Sequence, residues 1–228
     1  MVTTGLLQAP SQRGPVTHRP NGPVVPPPPP TGGGDGSERE PAPRRPVLDN
    51  LRLAVLFLIG GETVFFAALM AALFVTRLGQ PLWPPPQQPR LPVGVTGLNT
   101  LVLLASSVTM ARAVGALMRG EETLLVRRLA ATAGLGALFL LVQGYEWARL
   151  IGFGLTVSAG TYGATFYTLI GAHAAHVFGA LVWLSVTLVL ASRGHFGQGR
   201  TAPVRACAMF WHFVVGLWPL LYITVYLL

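Results

Sequence analysis

Long apolar stretches separated by short polar connections occupy most of the chain. Five of them lie near residues 51–76, 95–118, 125–149, 160–192 and 204–228. Each is long enough to cross the hydrocarbon layer of a bilayer as a helix. None shows the apolar–polar alternation of a transmembrane β-strand, and a helix satisfies its own backbone hydrogen bonds in lipid. The pattern therefore predicts an all-α, polytopic membrane protein built as a bundle of five transmembrane helices.

The first part of the chain has a different character. Residues 1–48 contain twelve of the 20 prolines, including the run Pro26 to Pro30, and show no periodic apolar pattern. Such a composition is typical of a disordered segment with polyproline character. We predict a disordered Pro/Gly-rich tail over 1–48 and a transmembrane domain over 49–228. A solvated leader is the preferred interpretation of the tail, and a docking peptide for a proline-binding partner is the alternative.

Composition and charge support the membrane assignment. Hydrophobic residues make up 51% of the chain and charged residues 11%, which is too apolar for an ordinary soluble domain. All 16 basic residues are arginines, and the formal net charge is +8. Most of them flank the apolar stretches and form no basic stripe, which argues against a nucleic-acid-binding protein. The single cysteine, Cys207, excludes a disulfide framework within the chain.

The distribution of arginines predicts the orientation in the membrane. Of the arginines near the spans, eleven lie at the start of the first span or near the connections 119–128 and 193–205, and three lie near the opposite span ends. Because cytoplasmic connections carry the excess of positive charge, the N-terminus is predicted to be cytoplasmic and the C-terminus periplasmic or extracellular.

Two carboxylates within the spans are candidate functional residues. Glu62 lies near the middle of the first span, beside Gly60 and Gly61, which are expected to admit a neighbouring helix. A carboxyl group buried there could assist proton movement or donate a hydrogen bond to a partner helix. Glu146 lies near the outer end of the third span, three residues before Arg149, and this spacing predicts an interfacial ion pair.

Three histidines lie at similar depth in the last two spans. His173 and His176 share a face of the fourth span through their i, i+3 spacing, and His212 is on the fifth. They could meet as ligands of a metal or haem, since imidazole is a common ligand. The preferred interpretation is hydrogen bonding across helices, with no metal site in this chain.

Small and hydroxyl-bearing residues indicate helix packing. Thr100, Ser106 and Ser107 are expected to bond to nearby carbonyl groups or adjacent helices, and Gly134 and Gly136 to permit close helix contact. No nucleophile–base arrangement, phosphate-binding loop or nucleotide fingerprint is apparent in the sequence. We therefore predict no catalytic residue in this chain.

A series of ordered motifs gives the chain a recognisable family pattern. They are Glu62 with Phe65-Phe66, Trp83-Pro84-Pro85, Leu98 to Thr109, Gln143 to Trp147, Tyr162 to Tyr167, Gly171 to Val177 and Phe210 to Val214. Over roughly residues 50–228 the chain resembles subunit III of the haem-copper cytochrome c and quinol oxidases, in a short five-helix bacterial form.

This resemblance implies an accessory, metal-free subunit of a proton-pumping terminal oxidase in the bacterial plasma membrane. Haem and copper are expected in partner subunits. The chain itself is expected to pack beside catalytic subunit I, hold phospholipid, support proton uptake and protect the complex from inactivation during turnover. Glu62 matches the family's carbodiimide-reactive carboxylate. Five further residues match helix-packing and polar-contact positions of the family: Asn99, His173, His176, Trp211 and His212.

Several features depart from the family pattern. Full-length members often have seven spans, and the missing pair would precede residue 50. In full-length members these two helices form a lipid-filled cleft with the rest of the subunit. In this chain we expect the cleft to be absent or to be completed by helices of another subunit. Val215 stands where the family has aspartate, Ala164 replaces a usual serine, and Pro219 interrupts the last span. Alternative identities are a subunit III-like protein associated with nitric oxide reductase, a small transporter, or a bis-histidine haem protein.

Overall fold

The computed structural model describes residues 50–83, 91–158, 160–196 and 200–228. The predicted tail over 1–48 lies outside these residues. The described part contains no strand and five α-helices, each long and apolar enough to span a membrane. They are α1 (Asn50–Leu78), α2 (Val93–Met118), α3 (Glu122–Gly152), α4 (Thr161–Ser192) and α5 (Ala202–Tyr222), and a π-helical segment (Ile223–Leu227) continues α5. The predicted all-α membrane fold is confirmed.

Helix α5 lies at the centre of the bundle and α1 at its edge. α5 packs against α1, α2 and α4, while α3 packs against α2 and α4. Within the most apolar window of each helix, 56% of the residues of the α5 segment are buried but 11% of those of α1. Most of the α1 surface therefore faces outward.

A single face of α1 meets the rest of the bundle. Val55, Glu62, Phe66 and Leu73 lie on this face, at spacings of seven and four residues that return to the same side of an α-helix. Gly60 is exposed, and a methyl group added to it would meet nothing within 4 Å; the same holds for Gly61. Gly60 and Gly61 precede Glu62 by two positions and one position, about 200° and 100° around the helix, so neither lies on the buried face. The expected helix contact at these glycines is not found among the described residues.

Glycine in the left-handed region ends α2 and α4. Gly120 and Gly194 both have φ of 71°, a conformation that costs glycine no steric strain. At the end of α2, the backbone N–H of Gly120 bonds to the carbonyl group of Leu117, and that of Glu121 to the carbonyl group of Ala116. This is the Schellman arrangement, which satisfies carbonyl groups that a helix end leaves without partners. The tight turn places α2 and α3 side by side.

Proline inside α5 is accommodated by a change of helix geometry near its end. Pro219 has no N–H to bond to the carbonyl group four residues earlier. The helix continues through Tyr222 and then widens into the π-helical segment, where the N–H of Leu228 bonds to the carbonyl group of Ile223. The predicted interruption by Pro219 does not break the span.

The contact between the Trp211 side chain of α5 and helix α3 depends on one glycine. A methyl group added to Gly136 would lie 2.5 Å from Cη2 of Trp211, whereas one added to Gly134 would meet nothing within 4 Å. Of the two glycines expected at a helix contact, only Gly136 is at one in the described structure. Trp211 is fully buried, so its ring has little room to move away.

Gly136→Ala should destabilise the folded chain by about 1–3 kcal/mol through overpacking against Trp211. Gly134→Ala adds the same methyl group to the same helix and should leave stability unchanged or slightly higher. The measurement is the free energy of unfolding in mixed micelles with increasing dodecyl sulfate. Equal values for the two variants would contradict the tight contact.

Candidate functional site

Glu62 and His176 form a polar pair between α1 and α4. Oε2 of Glu62 lies 2.9 Å from Nε2 of His176. Glu62 follows Asn50 by twelve residues, about 18 Å along the axis of α1, so the pair lies well inside the span. Each residue was predicted from the sequence as a polar site within its own span, and the structure brings the two together.

The hydrogen bonds of His176 fix how many protons the pair shares. Nδ1 of His176 lies 2.7 Å from the carbonyl oxygen of Ala172. A carbonyl oxygen only accepts, so Nδ1 carries the proton of that bond. A hydrogen bond between Nε2 and the carboxyl group of Glu62 then requires one further proton between them. The pair is either a carboxylic acid with a neutral imidazole or a carboxylate with an imidazolium, and its net charge is zero in both forms. A neutral pair costs less inside a membrane than a lone charge.

The pair remains accessible from one side. The side chains of Glu62 and His176 are 20% and 23% exposed. Together with Gly61 and Phe65 they line an open groove of about 260 Å³. The rings of Phe66 and His176 meet edge to face at 5.1 Å, which closes the inner side. The carboxyl group is therefore exposed at the outer surface of the bundle through this groove.

His173 lies next to this site but takes no part in its hydrogen bonding. Its ring stacks on Trp218 at 5.0 Å and meets the edge of Phe66 at 6.2 Å. It is fully buried, and neither ring nitrogen has a hydrogen-bond partner among the described residues. The expected hydrogen bond across helices is absent from His173 in this part of the chain, and aromatic stacking takes its place.

His212 faces a different helix from the other two histidines. Its Nδ1 lies 2.6 Å from Oγ of Ser107 on α2, whereas His176 reaches α1. The described residues contain no group of three His, Cys, Asp or Glu side chains that could hold a metal ion. The three imidazoles therefore do not converge as the ligand interpretation requires.

Hydrogen bonds from two tryptophans join α5 to α2. Nε1 of Trp211 donates to Oγ of Ser106 at 3.1 Å, and Nε1 of Trp218 donates to Oγ1 of Thr100 at 2.8 Å. All four residues are buried. Trp218 was not predicted from the sequence as a contact residue. Its position seven residues after Trp211, on the same helix face, is a signal that could have identified it.

Helix α2 is also bonded to α3. Nδ2 of Asn99 donates to the carbonyl oxygen of Phe139 at 3.0 Å, and the hydroxyl groups of Thr109 and Thr132 lie 2.8 Å apart. Asn99 is thus placed at a helix contact. Its Oδ1 is buried without a partner in the described part of the chain. Thr109 and Thr132 were not predicted to meet, because nothing in the sequence relates their positions.

Glu146 and Arg149 meet at the end of α3. Nη1 of Arg149 lies 3.3 Å from Oε1 of Glu146, whose side chain is 6% exposed against 49% for the arginine. The guanidinium group also lies over the ring of Tyr145, 5.9 Å from its centroid. The carboxylate is therefore covered by protein, while the arginine reaches outward as a residue at an interface does.

Comparison with known proteins gives one consistent match. The family model for cytochrome c oxidase subunit III matches residues 41–228. A cytochrome c oxidase subunit 3 from Synechocystis sp. is 36% identical over 175 residues, covering 76% of this chain and 73% of the relative. One from Corynebacterium diphtheriae is 31% identical over 198 residues, with 84% and 96% covered. One from Sus scrofa is 33% identical over 186 residues, with 79% and 70% covered.

Thr100→Val should destabilise the folded chain by about 0.5–2 kcal/mol, because it leaves the buried N–H group of Trp218 without an acceptor. Thr63→Val is the matched control, since the hydroxyl group of Thr63 is exposed and bonds to the carbonyl group of Ile59 in its own helix. Unfolding by dodecyl sulfate measures both. A loss no larger for Thr100→Val than for Thr63→Val would show that this bond contributes little.

Proposed function

The chain belongs to the cytochrome c oxidase subunit III family, and from this membership we propose that it is an accessory subunit without a catalytic centre of its own. The resemblance inferred from the sequence motifs is confirmed by the comparisons. Membership implies other oxidase subunits as neighbours. In the proposal, subunit I is the main contact, haem and copper lie in partner subunits, and this chain supports proton uptake by the complex.

The observation that carries the proton role is the Glu62–His176 pair. It is a titratable pair inside the membrane that shares one proton and borders an open groove. Nδ1 of His176 is occupied by the carbonyl group of its own helix, so exchange with the surroundings takes place at the carboxyl group. His176 stabilises either protonation state of Glu62, because it accepts a hydrogen bond when neutral and donates one when protonated.

A second feature supports the proposal that the chain holds phospholipid. A cavity of about 580 Å³ lies between the α2–α3 turn and the segment after α4. Hydrogen bonds from Arg119 lower the pKa of Glu121, which keeps this carboxylate charged. Apolar walls beside charges of both signs suit an amphipathic molecule. The lining includes Leu117, Leu125, Phe196, Glu121, Glu122 and Arg205.

The orientation in the membrane belongs to the same proposal. The chain is a multi-pass membrane protein, and we infer that it lies in a bacterial plasma membrane with its N-terminus in the cytoplasm. The arginine distribution supports this orientation. It places the 580 Å³ cavity at the cytoplasmic interface, where lipid headgroups lie.

Purification of the tagged chain in a mild detergent tests the proposed function. The subunits recovered with it are identified, and a reduced-minus-oxidised optical spectrum is recorded. Co-purification with a haem- and copper-bearing oxidase core is expected. Recovery with a nitric oxide reductase core, or of a colourless chain alone, would contradict the proposal.

Glu62→Gln should leave the complex assembled but reduce proton uptake and shorten its active lifetime during turnover. The amide group can still donate a hydrogen bond to Nε2 of His176 but cannot release a proton at neutral pH. Proton uptake and loss of oxygen consumption with time are measured on the purified complex.

Glu40→Gln is the control for this variant, because it makes the same chemical change before the predicted spans. If the two variants behave alike, Glu62 has no proton role. The family assignment would stand in that case.

A further inference from the structure

We propose that the surface formed by α2 and α5 around His212 is the docking site for a transmembrane helix of another oxidase subunit, which places a hydrogen-bonding side chain against the imidazole. The proposal rests on the chain being a subunit of an assembled oxidase. We define the His212 face as Leu104, Ser107 and Ala111 of α2 with His212 and Gly216 of α5.

His212 lies deep within the membrane span. It lies ten residues from the start of α5, which is about 15 Å along the helix axis. Ser107 lies eleven residues from the end of α2, or about 16 Å. Both residues are partly exposed. A polar group is thus presented on the outer surface of the bundle at the depth of the hydrocarbon core.

The ring of His212 has one nitrogen without a hydrogen-bond partner in the described part of the chain. Nδ1 is paired with Oγ of Ser107 at 2.6 Å, but Nε2 has no hydrogen-bond partner among the described residues. If Ser107 donates the bond, Nε2 carries a proton and needs an acceptor. If Nδ1 donates it, Nε2 is a bare acceptor and needs a donor. In both cases one strong polar atom is left for a partner, and hydrocarbon chains cannot supply one.

The shape of the His212 face allows a helix to approach. Gly216 is exposed one turn from His212, and a methyl group added to it would meet nothing within 4 Å. On α2, Leu104 and Ala111 are exposed one turn to either side of Ser107. Ala111 and Gly216 are small residues next to polar ones, an arrangement typical of contacts between transmembrane helices.

Other outward surfaces make weaker demands on a partner. Leu141 on α3 and Val182 on α4 are exposed apolar residues that lipid chains cover at no cost. Glu62 and His176 are also accessible, but they bond to each other. His212 therefore distinguishes its face as one that needs a polar protein neighbour, such as a serine, threonine, asparagine or glutamine of another subunit.

Photo-crosslinking in the assembled oxidase tests the location. A benzophenone amino acid replaces Leu104, and matched controls carry it at Leu141 or Val182. We expect position 104 to crosslink to another oxidase subunit with a yield several-fold above that of either control. Crosslinks from 104 to lipid alone, or to a second copy of this chain, would overturn the proposal.

The pattern of crosslinks separates this inference from the proposed function. If positions 141 or 182 capture an oxidase subunit and position 104 does not, the docking face is wrong but the subunit role stands. If no position captures an oxidase subunit and none co-purifies, the proposed function itself has failed.

Substitution of His212 tests the hydrogen bond. His212→Phe should lower the amount of this chain retained per oxidase core after detergent purification, and His212→Gln should restore part of it. Ser107→Ala removes the bond within the chain but leaves the imidazole facing the partner, so it should lower retention less than His212→Phe. Equal losses for Ser107→Ala and His212→Phe would indicate a purely internal role and overturn the proposal.

Discussion

A polar atom inside the hydrocarbon layer must find its hydrogen-bond partner within protein, and the arrangement of the bundle follows from this requirement. The indole N–H groups of Trp211 and Trp218 reach hydroxyl groups on α2, which fixes the register of α5 against α2. The ring of Trp211 fits because Gly136 leaves space for it on α3. The two hydrogen bonds and the space left at Gly136 thus position the central helix. The hydrophobic effect does not do so, because lipid chains are as apolar as the helix surfaces.

The same requirement separates what could be predicted from what could not. Hydropathy and length predict the helices, because the membrane imposes both on any spanning segment. Most observed ends lie within three residues of the predicted spans. The hydrogen-bond partners of polar residues could not be predicted, because a residue type shows that a partner is needed but not which helix supplies it. Glu62 and His176 are 114 positions apart in the sequence, and nothing in the local pattern of either residue relates them.

Errors in the sequence interpretation have physical causes of the same kind. Gly60 and Gly61 were expected to admit a helix because they directly precede Glu62, yet no described helix packs on either glycine. His173 was expected to bond across helices but stacks on Trp218. Adjacency in sequence is a poor guide to direction on a helix, and an imidazole has an aromatic face as well as polar nitrogens.

The bond between His176 and the carbonyl group of Ala172 has a consequence for how such a site evolves. What residue 172 contributes to the pair comes from its main chain, so the hydrogen bond itself requires no particular side chain there. Selection acting on the proton pair would leave no signature at that position, even though the carbonyl group decides which nitrogen of the ring faces Glu62. The carbonyl group at position 172 is therefore supplied by the helix backbone, and a comparison of side chains does not detect it.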